Sequence, residues 1–226
     1  MTSKTNARIA GIAFLYYIAA GILTMVLSGR ARSGPGIAGK LTGMAEHVTQ
    51  VRVTYMLGMT LAFAAFALGI SLYALTRNED EDLAMWGLVC RIAEGMVGIA
   101  LPSTLVLLWL ATGSGPSAPD AALSHAIAAF LVKLEGLTSL ISATLFAVGS
   151  TMFCWLFLRG RMIPVPLAWL GVVASVLLVV LLPLNLAGFF GGLMAQLMWI
   201  PMAVFELVAG PWLIIKGVAP PLRRTA

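Results

Sequence analysis

The sequence predicts an all-α integral membrane protein, a polytopic bundle of about six transmembrane helices, with seven spans as the alternative. Three observations predict this class: 60% of the 226 residues are hydrophobic, only 10% are charged, and six stretches are long and apolar enough to cross a bilayer. A helix satisfies its own backbone polar groups, as the hydrocarbon requires. Since successive spans share one bundle, we expect a single domain over residues 1–226.

The predicted spans follow one another with short connectors. They cover approximately residues 9–27, 51–75, 85–111, 133–158, 166–186 and 194–216. Lys4 and Arg8 precede the first span, as basic residues precede a secretory signal. Its apolar run is longer than the roughly 7 to 15 residues of a signal core, so we expect an uncleaved first helix.

A short interfacial helix is predicted before the fourth span. Ser117 and Asp120 form an S-x-x-D pattern that is typical of a helix start. A single helix from there to Leu158 would be about 60 Å long, roughly twice the hydrocarbon thickness. We therefore expect a separate helix from about Ala118 to Leu131.

The charge distribution predicts the orientation and excludes one class of partner. Lys and Arg collect in cytoplasmic loops and near anionic lipids, and no basic cluster here alternates with aromatic residues as in a nucleic-acid site. Most basic residues outside the spans lie on the side of the N-terminus, against Arg30, Arg32, Lys40 and Arg52 in the first loop on the other side. This bias predicts cytoplasmic N- and C-termini and no nucleic-acid partner.

Motifs for catalysis or cofactor binding are absent from the sequence, which has no HExxH, P-loop, GxSxG or GxGxxG followed by a helix. Cys90 and Cys154 fall inside apolar segments, where a buried inert thiol is expected. His47 and His125 fall in outer connectors with few other ligands for zinc. We therefore expect no catalytic residue, no metal and no cofactor.

Three ionisable residues inside the spans form a predicted polar centre. Such groups are costly at membrane depth, so they usually face the bundle interior and often carry function. Arg91 and Glu94 are neighbours on one face of the third span. Because the third and sixth spans are antiparallel, Glu94 and Glu206 can face each other within about 7 Å of depth. A latch between these helices, an ion or proton site, and a site for an amine or lipid head group remain the alternatives.

Two prolines flank Glu206 in the stretch "PMAVFELVAGPW". Pro211 cannot donate to the carbonyl of Leu207, and Pro201 similarly frees the carbonyl of Leu197. Broken helices of transporters use freed carbonyls to bind ions, although water or a neighbouring helix can satisfy them equally well.

Four further polar residues are candidates near the outer surface. Asn185 and Gln196 belong to the hairpin between spans five and six, which is either an entry mouth or a flexible turn. Lys133 and Glu135 point to different sides of a helix and cannot pair with each other. At the outer interface the Lys133 side chain can extend to water.

The stretches "ARIAGIAFLYYIAAGI", "CRIAEG", "FLRGRMIPVPLAWLGVV" and "PMAVFELVAGPWLIIKGV" together resemble the domain-of-unknown-function 4386 family of bacterial integral membrane proteins. The resemblance spans nearly the whole chain and implies a bundle of six or seven helices, but no activity. Lys133 stands where many members have a histidine. The family pattern falls on Arg8, Ala10, Gly11, Arg52, Arg91, Glu94, Pro201, Glu206, Trp212, Lys216 and Gly217.

The sequence thus favours a multi-pass protein of a bacterial inner membrane, either a small transporter or a proton- or cation-coupled protein centred on Arg91, Glu94 and Glu206. The alternative is a binding or regulatory module for a lipid or other apolar ligand, without catalysis. An enzyme with Glu94 and Glu206 as acid and base is less favoured. Expected partners are membrane lipids and a small molecule or ion. The candidate ligand- or ion-binding residues are Arg91, Glu94, Glu206, Asn185, Gln196, Lys133 and Glu135.

Overall fold

The computed structural model describes residues 2–99, 102–113 and 120–219, which form nine helices and contain no strand. The all-α class is confirmed. The helices are α1 (Ser3–Ala31), α2 (Gly36–Glu46), α3 (Val48–Thr76), α4 (Glu81–Ile99), α5 (Ser103–Thr112), α6 (Ala121–Arg159), α7 (Val165–Leu186), α8 (Leu193–Leu197) and α9 (Ile200–Ile215).

Six helical runs among the described residues are long and apolar enough to cross a membrane. They are α1, α3, α4 with α5, α6, α7, and α8 with α9. Each run overlaps one of the predicted spans, so the prediction of about six membrane-spanning helices is confirmed. The sixth span is divided between α8 and α9, just before Pro201.

The spans form a closed ring in chain order. Consecutive spans pack side by side, and α9 returns to pack against α1. This arrangement follows from short connectors, which place antiparallel neighbours next to each other. The closure brings Glu206 of α9 beside α1, and α1 also contacts α3.

The contact between α1 and α9 is unusually close. A Cβ atom placed on Gly11 would lie 2.5 Å from the carbonyl oxygen of Gly210, so only glycine fits there without a shift of the backbone. Next to it, the rings of Phe14 and Phe205 pack edge to face, with centroids 6.1 Å apart. Small residues allow membrane helices to approach in this way, and the contact fixes the position of the residue that follows Phe205.

The predicted interfacial helix from about Ala118 to Leu131 is wrong. The structure instead has one continuous helix of 39 residues, α6, which extends beyond the length a bilayer requires. The start of α6 is close to the predicted helix start. The Asp120 side chain caps α6 there by accepting a hydrogen bond from the backbone NH of Leu123 at 2.8 Å. Ser117 lies outside the described residues.

A second apolar core explains why α6 continues so far. The first third of α6 packs with α2 and α5 at one end of the bundle, where Leu41, Met44, Leu107 and Ala128 are buried together. This core stabilises the part of α6 that hydrocarbon alone would not require. The short helix between spans is therefore α2, in the first connector.

The surface of the bundle carries large apolar side chains. Among them, Phe63, Trp86, Phe130 and Val173 are more than half exposed. A ring of exposed apolar residues is the surface that hydrocarbon chains cover in a membrane. Polar side chains such as Arg91 are buried instead, as membrane insertion requires.

Candidate functional site

Arg91 and Glu94 form an ion pair on the inner face of α4. Arg91 Nη1 lies 2.8 Å from Glu94 Oε2, and the two side chains are only 1% and 3% exposed. The orientation of the two groups falls outside hydrogen-bond geometry, so the contact is electrostatic. The pairing is the one that their spacing predicts.

Tyr17 of α1 completes the surroundings of this pair. Its hydroxyl donates a hydrogen bond to Glu94 Oε1. The Arg91 guanidinium carbon lies 5.4 Å from the centroid of the Tyr17 ring and 4.8 Å from that of Phe146. The negative ring faces stabilise a cation that is out of water. Sequence reasoning missed Tyr17, although a phenol in the middle of a span is a signal, since a buried hydroxyl needs a partner.

Glu206 differs from Glu94 because it has no partner of this kind. Its side chain is 5% exposed, and its Oε1 atom is buried without a hydrogen-bond partner among the described residues. The charges of Arg91 and Glu94 act on it from nearby. The structure thus brings the three residues of the predicted polar centre together, with one acid paired and the other not.

A cavity of about 570 Å³ adjoins this centre on the side of the C-terminal end of α1. The residues that line it come from α1, α3, α4, α5, α6 and α9, in the half of the bundle that contains the C-terminal end of α1. Glu94 and Glu206 both line it. Hydroxyl side chains form much of its polar wall, namely Thr24, Ser28, Thr54, Thr138, Ser139 and Ser142.

A second ion pair lies at the other end of the cavity. Arg32 Nη1 is 2.5 Å from Glu135 Oε2, and Glu135 Oε1 accepts hydrogen bonds from Ser103 at 2.9 Å and Thr104 at 2.7 Å. Both charged residues line the cavity, about 22 Å from Tyr17 along α1 by the helix rise. Sequence reasoning named Glu135 but missed Arg32; the signal was an arginine directly after a long apolar helix.

The family model for Domain of unknown function (DUF4386) matches residues 9–217, nearly the whole chain. The protein belongs to the DUF4386 family. No curated protein and no solved structure matches it. The match includes α1, which supplies Tyr17, and α9, which supplies Glu206.

Lys133, Gln196 and Asn185 do not line this cavity. Lys133 is exposed on α6, and Gln196 is exposed on α8. The Asn185 side-chain nitrogen donates a hydrogen bond to the carbonyl of Phe190 at 2.8 Å, which ties down the turn after α7. This bond favours the turn over the entry mouth as the role of the hairpin.

The two prolines near Glu206 have different positions. Pro201 lies in the first turn of α9, where a missing NH costs little. It therefore marks the break between α8 and α9 rather than an interruption inside a helix. Pro211 lies inside α9, where it cannot donate to the carbonyl of Leu207.

No three His, Cys, Asp or Glu side chains of residues 2–99, 102–113 and 120–219 converge in a way that could hold a metal ion. His47 contacts its own helix end, with Nδ1 2.9 Å from the carbonyl oxygen of Gly43. Cys90 and Cys154 are buried free thiols.

Proposed function

We propose that this protein is a small transporter or a proton- or cation-coupled membrane protein in which Glu206 exchanges a proton for a monovalent cation. One observation carries this proposal: Glu206 lines a cavity of about 570 Å³ with a buried carboxyl oxygen that has no partner among the described residues. Glu94 and Glu135, the other acids of the cavity, are each paired with an arginine.

The charge balance supports exchange at Glu206. Arg91 neutralises Glu94, and Arg32 neutralises Glu135, so an ionised Glu206 gives the cavity one net negative charge. An isolated buried carboxylate costs several kcal/mol. A proton or one bound monovalent cation removes that cost, and a group that accepts either can couple the two.

We place the protein in a bacterial inner membrane with both termini in the cytoplasm, which the bias of Lys and Arg supports. The cavity would then open away from the cytoplasm, since it lies at the end of the bundle that holds Arg32 and the first connector. Reporter fusions after α1 and after α9 test this orientation. A cytoplasmic signal from the first fusion would overturn it.

A lipid or other apolar ligand is the second candidate for the cavity. Its walls include Met59, Val97 and Met202, which an apolar ligand could contact. Such a protein would bind without catalysis and without an exchangeable proton. Native mass spectrometry of the purified protein tests it: a retained lipid that survives the change Glu206→Gln would favour this function over cation exchange.

Labelling with dicyclohexylcarbodiimide tests the exchange itself, because this reagent couples to protonated carboxylic acids in apolar surroundings. We expect peptide mass mapping to find the label on Glu206 and not on Glu94, with less label as Na⁺ or K⁺ is added. The variant Glu206→Gln should lose the label, and Glu206→Asp should keep it. Labelling of Glu206 that no added cation reduces would overturn the proposal, as would an unlabelled Glu206 in a folded protein.

A further inference from the structure

We propose that the cation bound at Glu206 is an organic ammonium with an apolar body, a substrate class that rests on the function proposed above. The ammonium group would contact the Glu206 carboxylate at the floor of the cavity. The apolar body would fill the space between the helices above it. The size of the cavity and its aromatic wall each support this class over a bare inorganic ion.

The size of the cavity fits a small molecule. Ligand pockets in proteins have volumes of about 300–1,000 Å³, and this cavity has about 570 Å³. A bare cation is usually held by a compact shell of oxygens that touch it on several sides. Around Glu206 the lining instead includes the apolar side chains of Met202 and Ala203, on the same face of α9.

Aromatic rings form part of the wall beside this acid. Trp199 immediately precedes α9, about two turns before Glu206, and it packs against Phe146 with ring centroids 6.0 Å apart. The neighbouring rings of Tyr17 and Phe146 already bind a cation, since the Arg91 guanidinium lies over both. No Lys or Arg lies over Trp199 within the described part of the chain. Tryptophan is the ring to which ammonium groups bind best.

A second buried acceptor lies farther along the cavity, where a donor group of the ligand or a water molecule could reach it. Thr24 lines the cavity from α1, and its Oγ1 atom is buried without a hydrogen-bond partner among the described residues. Unsatisfied buried oxygens in a cavity mark places where a ligand or water donates a hydrogen bond. Thr24 Oγ1 and Glu206 Oε1 are thus buried acceptors in the cavity wall with neither a hydrogen bond nor an ion pair among the described residues, whereas Glu94 Oε2 has an ion pair with Arg91.

Competition against carbodiimide labelling of Glu206 tests the substrate class with defined probes. These are benzylammonium, its uncharged counterpart benzyl alcohol, and NaCl. We expect benzylammonium to protect Glu206 at a concentration at least ten-fold below that of Na⁺, and benzyl alcohol not to protect it. The change Trp199→Leu should raise the protecting concentration of benzylammonium by roughly ten-fold and leave that of Na⁺ unchanged.

The outcomes separate this inference from the function on which it rests. Protection by Na⁺ without protection by benzylammonium would overturn the ammonium proposal and leave cation exchange standing. Equal protection by benzylammonium and benzyl alcohol would also overturn it, because charge would then play no part. Failure of every cation to protect Glu206 would overturn both. Size-exclusion chromatography of Trp199→Leu shows whether that variant is folded.

Discussion

Glu94 is held by two groups from different helices: its Oε2 atom lies 2.8 Å from Arg91 Nη1, and its Oε1 atom accepts a hydrogen bond from Tyr17. Both oxygens are therefore occupied. Glu206, which lines the same cavity, has no such partner in the described part of the chain. The difference between the two acids is the basis of the proposed function, because it separates a structural carboxylate from one that is free to bind.

Removal of Arg91 should destabilise the fold strongly. The change Arg91→Met leaves Glu94 as a buried, uncompensated charge, and breaking a buried pair in this way costs about 3–5 kcal/mol. The free energy of unfolding in mixed micelles with dodecyl sulfate measures this effect. The double change Arg91→Met with Glu94→Gln should recover much of the loss. If the double variant is no more stable than the single one, the unpaired charge of Glu94 is not the cause of the destabilisation by Arg91→Met.

Loss of the Tyr17 hydroxyl should cost less than loss of Arg91. Tyr17→Phe keeps the ring beneath the guanidinium but removes the hydrogen bond to Glu94, which is worth about 1.5–3 kcal/mol for a charged acceptor. Tyr16→Phe is the matched control, since the Tyr16 hydroxyl bonds Thr60 on an exposed face and should matter little. Equal unfolding free energies for the two variants would contradict the assigned role of Tyr17.

The close approach of α1 and α9 predicts a contrast between two glycines of the same helix. A Cβ at Gly11 would lie 2.5 Å from the Gly210 carbonyl oxygen, whereas a Cβ at Gly21 meets nothing within 4 Å. Gly11→Ala should therefore cost about 1–3 kcal/mol through overpacking. Gly21→Ala should change the stability by less than about 1 kcal/mol. Thermal unfolding of both variants in one detergent decides the matter, and similar midpoints would refute the close contact.

The ion pair between Arg32 and Glu135 should show measurable coupling. A double-mutant cycle with Arg32→Met and Glu135→Gln isolates their interaction from other effects. Because both side chains are about one-fifth exposed, we expect a coupling free energy of about 1–2 kcal/mol, above that of most surface pairs. Additive effects of the two changes would show that the pair contributes nothing to stability.

The sequence predicted those features that depend on local periodicity. Spans follow from hydropathy, and the Arg91–Glu94 pair follows from a spacing of one helical turn. The depth of Glu206 also follows from its place along an apolar run. These inferences need no knowledge of how the helices are arranged around one another.

Features that depend on contacts between distant helices could not be predicted in this way. Tyr17 reaches Glu94, and Arg32 reaches Glu135, from helices far apart in the sequence. The excess length of α6 was missed because its first third is held by α2 and α5 rather than by lipid. Hydropathy shows that a segment prefers apolar surroundings, but it does not show which other helices will surround it.

The cavity itself was also beyond sequence reasoning. Small residues recur at spacings of three or four along α3: Ala62 and Gly69 are buried in the bundle, while Gly58 has open space around it and lines the cavity. One repeated pattern therefore gives a tight contact at one end and a void at the other.

Proton release on cation binding tests the central claim most directly. Purified protein in a weakly buffered detergent solution with a pH-sensitive dye is mixed with benzylammonium chloride or NaCl, over a series of starting pH values. The exchange at Glu206 predicts that a bound cation releases a proton from the wild-type protein over part of this series and none from a folded Glu206→Gln variant. Cation binding without proton release at every pH, or equal release from the variant, would contradict the account.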